Sequence, residues 1–118
     1  MSRINRLVVV INIEMLEEMF GGDKEITQQL FELYLAENTI IDDTILNQYE
    51  TNNLSALFHT AHTLSGALGN LCEMDILSAI KEIEAAAKTE NKPDKNTVNA
   101  VIDGLIKIKE QMENHLSS

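Results

Sequence analysis

The stretch VNAVIDGLIKIKEQM, residues 98–112, sets Val98, Val101, Leu105, Ile108 and Met112 at intervals of three, four, three and four. A helix turning once per 3.6 residues gathers all five on one face, whereas a half-buried strand would need an apolar residue at every second position. The same rhythm returns at Ile76, Ile80, Ile83 and Ala87, and again at Leu57, Ala61, Leu64, Leu68 and Leu71. Three such stripes predict three helices that face a common core. Stripes of this kind are core, with no need of a cofactor.

The residues between the stripes supply helix ends. Asn12 is expected to cap a short helix over residues 13–20, which Gly21-Gly22 stops. Asp23 then caps a long segment from Lys24 to about Glu50, with Ile26, Leu30, Leu33, Tyr34, Ile41, Ile45 and Tyr49 as its apolar stripe. The β-branched cluster Thr39-Ile40-Ile41 marks a bend near its middle. Asn52-Asn53 breaks the chain, and Asn53 caps the helix that runs to about Gly69. A turn over 70–73 leads to a helix reaching about Thr89; ENKPD, residues 90–94, is a loop, and Asp94 or Asn96 starts the last helix. No Asn-Gly or Asp-Gly turn sits between alternating strands. The expectation is an all-α, antiparallel bundle over residues 12–118, preceded by an N-terminal extension, residues 1–11.

Composition narrows the function classes. The 118 residues are enough for one domain with a real core, and 44% hydrophobic against 24% charged argues against disorder. A formal charge of −10 makes nucleic acid and anionic membrane surfaces poor partners. The longest apolar run, LVVVI at 7–11, is too short to span a bilayer, and Asn12 and Glu14 interrupt it as a signal sequence would not be interrupted. A cytoplasmic protein is expected. Cys72 is the only cysteine, which excludes an internal disulfide and reads as a small buried hydrophobe.

The chemistry concentrates in HTAHTLSGALGN, residues 59–70. Opposite or flanking the Leu57–Leu71 stripe lies His62, with Ser55, Phe58, His59, Ser65, Gly66 and Gly69 as its surface neighbours. Helical side chains lean toward the N-terminus, so residue 66 would cover His62; Gly66 and then Gly69 leave it bare. Two helical glycines cost roughly 2 kcal/mol relative to alanine. The twenty-two residues from Thr51 to Cys72 also contain no charged side chain, where the overall composition would put about five. Burial alone would select leucine and alanine, yet this face carries Ser, Thr, His and Gly. His59 and His62 could be two metal ligands, but a site needs further ligands, and the only other histidine is His115; no metal is expected. No Gly-x-Ser-x-Gly elbow and no phosphate-cradling glycine loop is present, so neither a serine nucleophile nor ATP-dependent self-phosphorylation is indicated.

AHTLSGALGNL, residues 61–71, resembles the pattern A-H-x-L-K-G-x-x-G-N-L of the histidine-containing phosphotransfer (HPt) domains of two-component phosphorelays. FGGDKEI at 20–26 and EIEAAAK at 82–88 are similar to other segments of that family, and the resemblance covers about residue 12 to the C-terminus. It implies an antiparallel four-helix bundle with a short additional N-terminal helix. It implies His62 as phosphoryl acceptor, with Ser65, Gly66, Gly69, His59, Glu84 and Lys88 near the phosphorylation site and Ser55 and Phe58 on the docking surface. The implied partners are receiver domains of a hybrid sensor kinase and of a response regulator. The receiver brings Mg²⁺, and this chain, a monomer, holds no cofactor and has no turnover of its own. The chain departs from the family at Ser65, where a lysine is usual: a hydroxyl can donate a hydrogen bond but carries no charge. Lys81 or Lys88 could supply that charge instead. The alternative is an adaptor that docks receivers without accepting phosphate, and a third reading is a bundle that dimerises through its neutral face.

Overall fold

The computed structural model describes residues 11–69, 71 and 75–117. These contain six helices and no strand: α1 Ile13–Met19, α2 Lys24–Glu37, α3 Ile41–Glu50, α4 Leu54–Gly69, α5 Asp75–Lys88 and α6 Lys95–Ser117. Cys72, most of the 70–73 turn and most of the 1–11 extension lie outside the described residues. Ile11 is described, and it belongs to the core. Its N–H donates to Gln111 Oε1 at 3.0 Å, and its carbonyl accepts from Gln111 Nε2 at 2.6 Å.

The three stripes are buried as their spacing requires. Leu57, Ala61, Leu64, Leu68 and Leu71 meet Ile76, Ile80, Ile83 and Ala87 and the α6 row Val98, Val101, Leu105, Ile108 and Met112 in one apolar cluster. Helix α4 packs on α5, α5 on α6, α6 on α3 and α3 on α4, while α2 packs on α6 and α1 on α2. Gly104 sits where α6 meets α5; a Cβ there would lie 2.5 Å from Ile76 Cδ1.

The helix ends follow the caps. Asn12 Oδ1 accepts from Met15 N, Asp23 Oδ1 from Glu25 N, and Asn53 Oδ1 from Ala56 N. At the end of α1, Gly22 N donates to Glu17 O and Gly21 N to Glu18 O, with both glycines at positive φ. This pair of bonds defines the Schellman motif. It recurs after α3, where Asn52 takes the left-handed residue, and after α5, where Glu90 takes it at φ 62.

The long helix expected over Lys24–Glu50 is two helices. Asn38 ends α2: both its N–H and its Nδ2 donate to the Tyr34 carbonyl, and Thr39 Oγ1 donates to that of Leu35. Side chains satisfy the carbonyls that continued helix would have used, and α3 restarts after Ile40. The break also turns α2 relative to its expected stripe. Ile26 (37% exposed) and Leu33 (56%) point outward, and Thr27, Phe31 and Tyr34 form the buried row. Phe31 decides this register. It is fully buried, edge-on to the His115 ring at 5.5 Å between centroids.

Candidate functional site

Helices α4 and α5 form the most extensive helix pair in the molecule. Their buried rows face the core, and their flanks diverge above it into an open groove. Its α4 wall is His62, Ser65, Gly66 and Gly69; its α5 wall is Leu77, Lys81, Glu84, Ala85 and Lys88. Leu77, Lys81, Glu84 and Lys88 follow one another at steps of four, three and four, so a single face of α5 confronts the bare face of α4.

His62 stands at the rim with its side chain 68% exposed. Its Nδ1 lies 2.8 Å from Glu84 Oε2, and Glu84 is only 22% exposed. A carboxylate has acceptors only, so in the neutral ring this contact puts the proton on Nδ1 and leaves the lone pair on Nε2. The second carboxylate oxygen, Oε1, accepts from Ser65 Oγ at 3.4 Å, a long and therefore weak bond. Phe58, one turn earlier on α4, lies nearly parallel to the imidazole, with 5.8 Å between centroids and 19° between planes. Edge and face are both held, and Nε2 has no partner among the described residues.

The glycines of this groove have no steric cause among the described residues. Both lie in ordinary helical backbone, and a Cβ at Gly66 or Gly69 would meet nothing within 4 Å among the described residues. Gly104 is the contrast, since Ile76 occupies the space a side chain would need there. At Gly66, inside α4, glycine costs about 1 kcal/mol relative to alanine, and no contact among the described residues requires it. What Gly66 and Gly69 leave free is the approach to His62.

Charge in the groove opposes that of the chain. Its walls hold two lysines and one glutamate, where the chain as a whole carries −10. Lys81 and Lys88 are exposed and form no ion pair among the described residues. Two lysines thus line the same groove as the imidazole, which gives that groove a positive balance within an acidic chain.

Of the residues singled out in the sequence, His62, Ser65, Gly66, Gly69, Glu84 and Lys88 come together in the groove. Phe58 touches the His62 ring. His59 lies off the groove, exposed, with its ring edge-on to Phe58 at 5.3 Å. Ser55 is exposed in the first turn of α4 and does not line the groove. Leu77 and Ala85 belong to the groove and were not anticipated. Their signal was present, one turn before Lys81 and one turn after it on the same α5 face. No group of three His, Cys, Asp or Glu side chains is poised around a metal position among the described residues. No helix of the described residues is long and apolar enough to cross a membrane. No protein-family model, no curated protein and no solved structure matches this chain.

Proposed function

We propose that this chain is a phosphorelay carrier in which His62 takes a phosphoryl group from a receiver-domain aspartate and passes it to another receiver. The observation that carries the reading is the exposed His62 ring, with Nδ1 held by Glu84 at 2.8 Å and two glycines beside it that no contact among the described residues requires. The closed circuit of contacts among α3, α4, α5 and α6 fits an antiparallel four-helix bundle, with α1 and α2 outside it.

In the proposed step the Nε2 lone pair attacks phosphorus in line with the acyl oxygen. The N–P bond forms as the P–O bond breaks, and the aspartate departs as a carboxylate with the bonding pair. The Nδ1 proton stays on the ring, and the Glu84 carboxylate faces the positive charge the ring acquires. Such transfers depend chiefly on positioning and charge neutralisation, and Lys81 and Lys88, which line the groove with His62, are the residues proposed to meet the phosphoryl oxygens. The receiver supplies Mg²⁺. The carrier works as a cytoplasmic monomer and turns over nothing alone.

One observation favours the second reading, an adaptor that docks receivers without accepting phosphate. The residue one turn beyond His62 is Ser65, which brings no charge to the site. Incubation with a phosphorylated receiver separates the two. The carrier reading requires label on wild-type protein, none on His62→Gln, and retained label on His59→Gln. Binding without label establishes the adaptor. His62 is exposed and glutamine keeps a donor for Glu84, so the fold should survive its replacement, and a thermal melt of His62→Gln checks that lost label does not reflect unfolding.

A further inference from the structure

The Glu84 carboxylate takes one contact on each oxygen, both from α4: His62 Nδ1 on Oε2 and Ser65 Oγ on Oε1. On its own helix Glu84 stands between Lys81 and Lys88, at spacings of three and four residues. Such spacings ordinarily form intrahelical ion pairs. Neither lysine has captured the carboxylate, which instead reaches across the groove. A carboxylate anchored at one oxygen is free to rotate about its terminal bond toward either ammonium. A second anchor on the same side fixes its plane.

We propose that Ser65 is a positioning residue: its hydroxyl holds the Glu84 carboxylate turned toward α4, which keeps the His62 proton on Nδ1 and the lone pair on Nε2. The consequence for phosphoryl transfer rests on the reading of His62 as acceptor, but the effect on the ring does not. Ser65 then compensates for the nearby lysines instead of replacing one, because it adds a donor to Glu84 without adding a third cation to compete for it. A lysine at 65 would pair with Glu84 and draw it from Nδ1.

The test is nitrogen-15 NMR of the imidazole rings of the full chain, with His62 assigned by its loss in His62→Gln and the pH set where the rings are neutral. The wild type is expected to show the Nδ1–H form. Glu84→Ala should move His62 to the Nε2–H-rich mixture of a free side chain. Ser65→Ala should move it part of the way, Ser65→Lys in the same direction, and Ser65→Thr, which keeps the hydroxyl, should restore the wild-type spectrum. Transfer from a phosphorylated receiver should fall about threefold in Ser65→Ala, the size expected of one weak hydrogen bond. A Ser65→Ala spectrum identical to wild type, with Glu84→Ala shifted, overturns the proposal. So does a wild type already in the Nε2–H form. If the ring responds as expected but wild-type His62 takes no label, the carrier reading falls and the positioning of the ring by Ser65 stands.

Discussion

Glu84 Oε2 lies 2.8 Å from His62 Nδ1 although twenty-two positions of sequence and a change of helix separate them. The contact exists because α4 and α5 each bury one stripe and are thereby fixed in rotation about their own axes. His62 lies one position past buried Ala61, and Glu84 one position past buried Ile83. Two flanking side chains are thus delivered to the same groove by the packing of their apolar neighbours. The ring is held by its edge and by Phe58 on its face, which would lower the ordering cost of the encounter proposed for it.

Gly66→Leu should leave the fold as stable as before or up to about 1 kcal/mol more stable, since leucine is the better helix former and the position opens on empty space. If the proposed function holds, receiver binding should weaken because the new side chain projects over His62. Thermal melting and a binding titration together check this. Higher stability with undiminished binding would remove the steric explanation of the groove glycines.

Gly104→Val should behave in the opposite way. Its Cβ would fall 2.5 Å from Ile76 Cδ1, and the expected loss is about 1–3 kcal/mol by urea denaturation. Ile76→Ala in the same chain opens space at that contact, so the double variant should lose less than the two single losses added together. Strict additivity would show that the two helices do not touch there.

Tyr34 predicts an alkaline weakness. Burial pushes its phenol well above the ordinary value of 10.0, and the Asp42 carboxylate adds to the shift. The unfolded chain ionises first as pH rises, so the stability this group contributes is fully present below about pH 10 and is lost progressively above it. The hydroxyl also has no hydrogen-bond partner among the described residues. Tyr34→Phe should therefore be neutral or slightly stabilising at pH 7 and should lose less stability than wild type at about pH 11. Parallel urea curves for the two proteins at both pH values would contradict the assignment.

Glu90 occupies the left-handed position that closes α5, at φ 62, with Asn91 N bonded to Ala86 O and Glu90 N to Ala87 O. Glycine adopts this backbone without steric cost. Glu90→Gly should raise stability by about 0.5–1 kcal/mol, whereas Glu90→Ala should not. A gain from alanine equal to that from glycine would point to charge, not backbone, as the cause.

The rows on α4, α5 and α6 could be read from spacing alone because each is the sole apolar face of its helix, and a helix with one such face has one way to bury it. The caps at Asn12, Asp23 and Asn53 were equally legible, since a cap is a bond between residues two or three apart. So was the bareness of His62, which depends only on the helical neighbours Gly66 and Gly69. The segment from Lys24 to Glu50 was different. Ile26, Leu30, Leu33 and Phe31 offer more apolar surface than one face can hold, so periodicity there admits more than one register. The break at Asn38 and the seat for Phe31 against His115, near the far end of the chain, selected Thr27, Phe31 and Tyr34. Sequence by itself determined an all-helical chain, its core stripes and an uncovered histidine, because these follow from contacts within a few residues. Only the tertiary structure decided that Glu84 holds Nδ1, that Ser65 reaches Glu84, and that Lys81 and Lys88 line the groove with no ion pair among the described residues. Those depend on the rotation of α5 against α4, which is set by the whole core packing at once.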